Sequence, residues 1–521
     1  DFNINLTSES DGGNGGGAKL AIKGELRDEG GKDRWKYDGI DLERVFVEME
    51  VAGLELKGAI FIFDEDPTYG KGFAGAVGAK FTKGMSLEVE VKALFGRTDE
   101  FRYWFADGQV TLPTPIPIFT GFAINSFGGG FYNRMKMAGV DRSQNGAYQN
   151  IGTSASGVVY EPYAQNSFGM KATMGIITQN SEELFNATVE FGMAFRSNGG
   201  LQDIYFKGEG NLITSIPNDF YERLADKLAL VAQGSDAVIP AYSPEGSLAA
   251  NVFIKYDFVN DIFHATSELY INFGFLKGIG PNGRAGWMDF YVGPDKWHIL
   301  IGTPEDPVGT KLDIAILEME TRSYFMTGED IPGSPPPPPM VAQMLGVDAS
   351  KLDYTRDLNQ LKAGKGMAMG AHWSMSTGDL KFLIFYARFD AGIGFDIMLK
   401  DYGEAHCVGS SEPIGINGWY ANGQAYAYLQ GELGLKFKLF GKKKKVTIFA
   451  GGGAVLMQAR LPNPVWLRGY LAGRYRVLGG LIKGKFRFKI ELGKKCEIVG
   501  GSPLDGIVVI GDMSPKEGAT E

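Results

Sequence analysis

Alternation of apolar and polar residues is the dominant pattern of this chain. In residues 433–439 leucine or phenylalanine alternates with glycine or lysine, and in residues 485–492 phenylalanine, isoleucine and leucine alternate with lysine and arginine. Successive side chains of a β-strand point to opposite faces, so this period of two predicts strands with one apolar and one cationic face. The stretch from Gly418 to Lys495 therefore predicts a long, curved antiparallel sheet.

The same alternation recurs in the N-terminal half. Apolar residues share one parity from Val45 to Val51 and change parity at Leu54. A change of parity at Ala52 and Gly53 is what a β-bulge produces, so we expect a bulge there. Residues 133–165 are polar and predict a loop. Both parities are apolar in residues 382–387, which predicts a strand buried on both sides.

Helical periodicity is confined to short segments. One helix is predicted near 218–233, and helical turns are expected at 340–346 and 349–363. Five prolines, Pro335 to Pro339, favour a stiff polyproline II segment. The pattern predicts an all-β fold of large curved antiparallel sheets with a few short helices. We expect an N-terminal unit at 1–333, a proline-rich and helical connector at 334–364, and a C-terminal unit at 365–521 that carries the basic sheet.

Composition agrees with a large sheet protein. The 521 residues include 74 glycines, 35 phenylalanines and 22 tyrosines. Glycine is about twice its average share of roughly 7 %. Glycines within strands mark bends, bulges or close backbone approach.

Charge is unevenly distributed along the chain. The formal net charge is −9, yet residues 432–495 hold sixteen Lys or Arg against two acids. This basic sheet has two functional interpretations: it binds an anionic polymer or lipid headgroup, or it docks on an acidic protein partner. Alternatively, its cations are solvated or paired within the protein, for which acids of the N-terminal strands are candidates. The overall acidity and the absence of a recognised module argue against nucleic acid. The candidate basic face comprises Lys436, Lys438, Lys485, Arg487 and Lys489.

The sequence contains two cysteines, Cys407 and Cys496. They bracket the basic sheet, and a disulfide between them would suit an oxidising compartment. Two buried thiols are the alternative, and the sequence leaves the choice open.

Motifs with catalytic or cofactor chemistry are weak. Gly278, Gly280 and Gly283 spell G-x-G-x-x-G, but Pro281 lies inside the motif and strand-like residues follow, so we predict a hairpin loop. The four histidines lack metal-ligand spacing. Acidic residues at 64–66 and at Asp353 and Asp357 leave a glycosidase as a third possibility. We therefore expect no catalytic residues, no metal and no cofactor.

Four segments resemble a family of very large Bacteroidota cell-envelope proteins of the TANFOR type. They are rich in aromatic residues and in Gly or Pro turns. The segments are Asp289-Phe-Tyr-Val-Gly-Pro-Asp-Lys-Trp-His-Ile-Leu-Ile-Gly302, Tyr324-Phe-Met-Thr-Gly328, Gly415-Ile-Asn-Gly-Trp-Tyr-Ala-Asn-Gly-Gln-Ala-Tyr-Ala-Tyr-Leu-Gln-Gly431 and Leu461-Pro-Asn-Pro-Val-Trp-Leu-Arg-Gly469.

This resemblance implies a β-rich module of an exported protein, associated with the outer membrane or extracellular and handled by type IX secretion. Together with the missing catalytic motifs, it leads us to expect a non-enzymatic structural or binding module of a large cell-envelope or cell-surface protein. The expected partners are other envelope proteins or other parts of the same larger chain. A lipid- or glycan-binding module that uses a curved sheet groove is the alternative, with an anionic glycan or a lipid as its ligand.

Overall fold

A computed structural model shows an all-β protein. It describes residues 2–5, 14–28, 30–83, 86–119, 121–140, 151–154, 158–179, 181–212, 248–314, 317–329, 331–352, 365–378, 380–382, 384–439 and 442–499. The predicted fold class is confirmed. The predicted helix at 218–233, Asp353 and Asp357 lie outside the described residues.

The strands are long and pair antiparallel. In chain order they are β1 (Phe2–Asn5), β2 (Gly15–Asp28), β3 (Asp33–Val51), β4 (Leu54–Asp66), β5 (Gly70–Phe81), β6 (Glu88–Arg97), β7 (Arg102–Phe119), β8 (Phe122–Asn133), β9 (Met135–Val140), β10 (Val158–Pro162), β11 (Asn166–Thr178), β12 (Ser181–Arg196), β13 (Leu201–Leu212), β14 (Leu248–Asp257), β15 (Ile262–Ile271), β16 (Leu276–Gly278), β17 (Arg284–Val292), β18 (Trp297–Ile301), β19 (Thr310–Ile314), β20 (Leu317–Glu329), β21 (Lys365–Ser376), β22 (Leu380–Phe382), β23 (Phe385–Asp401), β24 (His406–Cys407), β25 (Trp419–Leu439), β26 (Lys442–Leu461), β27 (Trp466–Val477), β28 (Ile482–Gly493) and β29 (Ile498–Val499).

Helices are few and short. The structure places α1 at Pro339–Leu345 and α2 at Ala349–Leu352. Gly346, in the left-handed conformation with φ of 60°, ends α1. In the described part of the chain, neither helix has the length and hydropathy needed to cross a membrane.

The chain forms two compact units, Asp1–Tyr270 and Ile271–Glu521. In the first, neighbours in sequence pair from β1 through β8, β8 pairs with β11, and pairing continues to β14. In the second, the ladder runs through β17, β18, β20, β21, β23, β25, β26, β27 and β28.

The unit boundary lies before the position expected from the proline run. The sequence placed it at 333, but β20 and β21, on either side of the prolines, pair along twelve positions from Glu318–Ser376 to Glu329–Lys365. This long pairing holds both strands in the same unit. The connector is therefore an excursion from one sheet and does not link two units.

Three local predictions were wrong. Ala52 and Gly53 form the two-residue turn of a hairpin between β3 and β4. A two-residue turn changes the parity of the apolar positions just as a bulge does, so the sequence pattern alone did not distinguish them. Residues 133–165 contain β9 and β10, which form their own hairpin. The strand around 385 is buried on one side only: Tyr386 is 0 % exposed and Phe385 is 44 % exposed.

Polarity across the sheets is the reverse of that in most water-soluble sheets. In the first unit, β6 buries Glu90 and Lys92 and exposes Val91 and Phe95. In the second unit, β23 buries Asp396 and Lys400 and exposes Ile393, Phe395 and Ile397. The exposed apolar residues of five neighbouring strands in this unit are Phe385, Ile393, Phe395, Ile397, Trp419, Leu429, Leu433, Val446, Phe449, Val455, Met457, Leu461, Leu471, Tyr475, Ile482, Phe486, Phe488, Ile490 and Leu492.

Aromatic rings stand over glycines directly opposite them on the next strand. A Cβ at Gly392 would lie 2.5 Å from a ring carbon of Tyr428, and one at Gly192 would lie 2.2 Å from Tyr205. Only glycine leaves room for these rings, which accounts for part of the glycine-rich, aromatic-rich composition. The opposed pairs are Gly96–Tyr103, Gly169–Tyr132, Gly192–Tyr205, Gly370–Tyr324, Gly392–Tyr428, Gly394–Tyr426, Gly473–Phe486 and Gly484–Tyr475.

Candidate binding surface

The candidate site lies on one face of the sheet formed by β23, β25, β26, β27 and β28. We call the face that carries Asp396, Gln424 and Arg474 the polar face, and the opposite one the apolar face. The register aligns Asp396 with Gln424 and Gln424 with Gln458, so polar side chains form rows across the strands. The alternation noted in the sequence produces this separation.

The connector covers part of the polar face. Residues Val341 and Leu345 of α1 are fully buried against Tyr426, Leu456 and Tyr470. Two arginines and one glutamine of the sheet donate hydrogen bonds to carbonyls at the helix ends, where cations and donors are favoured. These bonds run from Arg487 to Gly346 at 2.8 Å, Arg468 to Lys351 at 2.9 Å and Gln458 to Leu352 at 2.6 Å.

A buried carboxylate, Asp396, organises the centre of the second unit. It is 0 % exposed and accepts hydrogen bonds from Tyr324 Oη at 2.9 Å and Gln424 Nε2 at 2.8 Å. His372 Nε2 lies 3.0 Å from the same carboxylate, and His372 Nδ1 lies 2.8 Å from Tyr426 Oη.

The Asp396–His372–Tyr426 chain has the connectivity of a catalytic triad but lacks its electrostatics. Burial, with a further contribution from Asp396, raises the pKa of Tyr426 well above its ordinary value of 10.0. His372 lies within hydrogen-bonding distance of Tyr426 Oη, but the raised pKa of Tyr426 opposes the loss of its proton that a nucleophile needs. Tyr426 also packs against α1, so this cluster is a structural network.

An open groove lies on the polar face beyond the connector. Its volume is about 800 Å³. Arg388 pairs with Asp390 at 3.4 Å and Lys445 pairs with Glu432 at 3.2 Å, which occupies both carboxylates of the groove. The remaining cations that line it are exposed: Arg474, Arg476, Lys483 and Lys485.

The five cations of the predicted basic face have different environments. Lys485 alone among them lines the groove. Arg487 binds the end of α1, Lys489 pairs with Glu491 at 2.8 Å, and Lys436 lies 4.9 Å from the Tyr386 ring centre. Lys438 lies in β25 opposite Lys443, and its side chain is outside the described part.

Sequence reasoning did not single out Arg474 and Arg476. They occupy alternate positions of β27 and face Lys485 and Lys483 across the β27–β28 register. The sequence shows that Arg474 and Arg476 lie on the same face of their strand. Only the β27–β28 register shows that Lys483 and Lys485 lie directly beside them. Lysines 442–445 begin β26 and continue the ladder opposite residues 436–439.

Two of the acids expected to offset the basic sheet pair with lysines of the first unit instead. Glu48 pairs with Lys57 at 2.8 Å and Glu88 pairs with Lys80 at 3.4 Å. Glu90, in β6, is buried within the first unit. Exposed pairs of this kind contribute little to stability.

Glu432 is held in its charged form at the edge of the groove. Burial alone would raise its pKa, but hydrogen bonds from Tyr386 Oη at 2.5 Å, Thr447 Oγ1 at 2.7 Å and the nearby Lys445 outweigh burial. Together they lower the pKa of Glu432 to about 2 from an ordinary 4.5.

Replacing Glu432 with glutamine should remove acid-dependent stability from the second unit. A carboxyl whose pKa is lower in the folded state stabilises fully above its ordinary pKa, and that contribution is lost as pH falls from about 4.5 to about 2. We expect the Glu432→Gln variant to unfold in less urea than the parent at pH 6, with the difference narrowing toward pH 2. The exposed Glu491→Gln variant is the control and should change little. A difference that stays constant with pH would contradict this assignment.

Cys407 and Cys496 are joined by a disulfide, with their Cα atoms 5.2 Å apart. Around it, β24 pairs with β29, and a small core of Tyr402, Ala405 and Tyr420 packs beside Cys496. The disulfide joins the segment before β25 to the segment after β28, so it links the two ends of the part of the chain that contains the basic strands.

Removing the disulfide should destabilise the second unit. The two cysteines are 89 residues apart, and cross-links over loops of this length restrict the unfolded chain strongly. We expect the Cys407→Ser/Cys496→Ser variant to lose about 2–4 kcal/mol in urea unfolding. The parent protein in reductant is the matched comparison and should show the same loss. An unchanged midpoint in both would contradict the prediction.

The remaining sequence motifs have structural positions. Gly278 ends β16, Pro281–Gly283 forms a 3-10 turn, and the third glycine leads into strand β17, so the motif is a hairpin loop without a helix to receive phosphate. Within the described residues, no group of three or more His, Cys, Asp or Glu is placed to hold a metal ion.

No protein-family model and no curated protein matches the chain.

Proposed function

We propose that this chain is a non-enzymatic structural and binding module of a large exported cell-envelope or cell-surface protein. The observation that carries the proposal is the reversed polarity of the sheets: charged groups are buried on one face and apolar groups are exposed on the other. An extensive exposed apolar surface marks an interaction site. The four segments that resemble TANFOR-type envelope proteins, and the disulfide, support an exported location.

Fractionation of cells that produce the chain naturally tests this function. We expect the chain in the envelope or outside the cell, in association with other envelope components. Recovery from the reducing cytoplasm would overturn the proposal. So would turnover of a polysaccharide, a peptide or an ester by the purified chain.

A second candidate function is recognition of an anionic group by the groove on the polar face. Arg474, Arg476, Lys483 and Lys485 lie together and exposed, while the groove's carboxylates are paired with other cations. Phosphate and carboxylate groups suit such a cluster, particularly through the planar guanidinium groups. The ligand class is an acidic glycan or an anionic lipid headgroup.

Two probes separate these ligand sources. Polygalacturonate represents an acidic glycan, and dihexanoyl phosphatidylglycerol below its micelle concentration represents a headgroup. We expect the Arg474→Gln/Arg476→Gln variant to bind one probe at least 10-fold more weakly than the parent. The Lys442→Gln/Lys443→Gln variant removes the same charge outside the groove and should retain affinity. Equal weakening in both variants, or no binding of either probe, would remove this candidate.

A further inference from the structure

The apolar face of the β23–β28 sheet is free of charge over a large area. Its outward positions carry no charged residue in the described ranges 385–399, 421–437, 446–459, 467–477 and 482–492. Phe488 is 63 % exposed, Met457 58 % and Ile393 58 %. Five neighbouring strands therefore present one continuous apolar surface.

The opposite, polar face of the same sheet buries charged and amide side chains. It buries Asp396, Lys400, Gln424 and Gln458, which in a water-soluble sheet would normally face solvent. Hydrogen bonds within the protein satisfy Asp396, Gln424 and Gln458. A sheet that buries charge and exposes hydrocarbon is arranged for an apolar medium on its outside.

Protein partners fit this face less well than lipid. Protein–protein interfaces are only about 56–58 % apolar and carry a polar rim and hydrogen-bonding groups. Here the outward positions supply alanine, glycine, leucine, isoleucine, valine, phenylalanine and one methionine, with Tyr475 as the polar-tipped exception. Such a surface offers nothing directional for a partner to recognise, whereas acyl chains require nothing directional.

Charges and an indole appear where the apolar surface ends. Beyond Val446, toward the start of β26, the next two outward positions are Lys444 and Lys442, which pair with Phe437 and Leu439 of β25. At the other end, the exposed Trp419 stands opposite Asp401. Lysines complement anionic headgroups, and tryptophan favours the boundary between hydrocarbon and water.

The first unit shows the same polarity independently. A groove of about 280 Å³ runs over the exposed side of β3 to β6. Its lining is entirely apolar, with Val47, Ile60 and Phe73 forming ridges beside Gly58 and Gly75. Small residues between larger ones leave a channel that suits a flexible hydrocarbon chain.

We propose that the apolar face of the β23–β28 sheet lies against the acyl chains of a phospholipid bilayer. This inference rests on the proposed envelope function and names what covers its exposed apolar surface. The lysines at the end of that surface contact the anionic headgroups of the same bilayer.

Nitroxide labels on alternate faces test the proposal. The two native cysteines are joined to each other, so Phe488→Cys, Met457→Cys and Lys485→Cys each introduce one free thiol. Each labelled chain is reconstituted in 3:1 phosphatidylcholine:phosphatidylglycerol vesicles, and circular dichroism confirms its sheet content. At 488 and 457 we expect collisions with oxygen to exceed collisions with a water-soluble nickel chelate. At 485 we expect the opposite order.

Each contrary outcome has a distinct meaning. Nickel accessibility at 488 and 457 places this face in water and overturns lipid contact. Immobile labels inaccessible to both reagents indicate a protein or second-copy cover and also overturn it. Either result leaves the proposed envelope function standing, because that function is judged separately by fractionation and turnover.

Discussion

Replacing Lys171 with methionine is expected to lower the free energy of unfolding of the first unit by about 3–5 kcal/mol. The Lys171 ammonium is 3 % exposed and lies 2.5 Å from Asp107 and 3.6 Å from Glu190, both of them buried. Methionine preserves much of the side-chain volume but leaves both buried carboxylates without their shared cation. The loss should therefore come from uncompensated charge and not from a cavity. Urea unfolding followed by fluorescence measures it.

A matched control separates this effect from the removal of any lysine. Lys57 pairs with Glu48 in the same unit, but its side chain is 32 % exposed and that of Glu48 is 51 % exposed. The Lys57→Met variant should shift stability by less than about 1 kcal/mol. Equal losses in the two variants would show that burial does not determine the importance of Lys171.

The Asp396→Ala variant is the second large prediction, and it concerns the second unit. Removing the carboxylate deprives Tyr324 Oη and Gln424 Nε2 of their acceptor and leaves His372 beside an apolar gap. Buried donors without acceptors cost about 1–3 kcal/mol each. We expect a total loss of about 3–5 kcal/mol in urea unfolding.

The Asp396→Asn variant refines this prediction. Asparagine retains one acceptor oxygen but presents an amide N–H₂ where a second donor already points, so its loss should be intermediate. The exposed Asp313→Ala variant is the control within the same unit. An Asp396→Ala variant as stable as this control would contradict the organising role assigned to Asp396.

Alternation in the sequence was sufficient to predict many of the strands but not which face of each strand meets the surroundings. In residues 485–492 the parity of Phe486 and Phe488 is plain, and the strand exists as predicted. Yet a period of two assigns residues to faces without saying which face is covered. The covering elements here are α1 and the connector, which pack on Tyr426 and Leu456. This packing joins residues that are far apart in the sequence, so a local sequence pattern cannot predict it.

The candidate groove shows the same limit more sharply. Charge counting found the basic strands, and Lys485 is both predicted and present in the groove. Arg388 comes from β23, far earlier in the chain, and it joins the site only because β23 pairs with β25 at Arg388–Glu432. Arg487 shares its parity with Lys485 but reaches the carbonyl of Gly346. Neighbouring positions on one strand can thus have different roles, set by what lies above them.

The ring-over-glycine pairs have a consequence for how the sheet chooses its alignment. A slip of two residues between β23 and β25 keeps every side chain on its own face, so polarity alone does not exclude it. In the native pairing Tyr426 faces Gly394 and Tyr428 faces Gly392. A slip in one direction would set Tyr426 against Asp396, and a slip in the other would set Tyr428 against Asp390. The glycines thus leave space for both rings only in the native register. They therefore disfavour the two alternative registers in which β25 is shifted by two residues along β23.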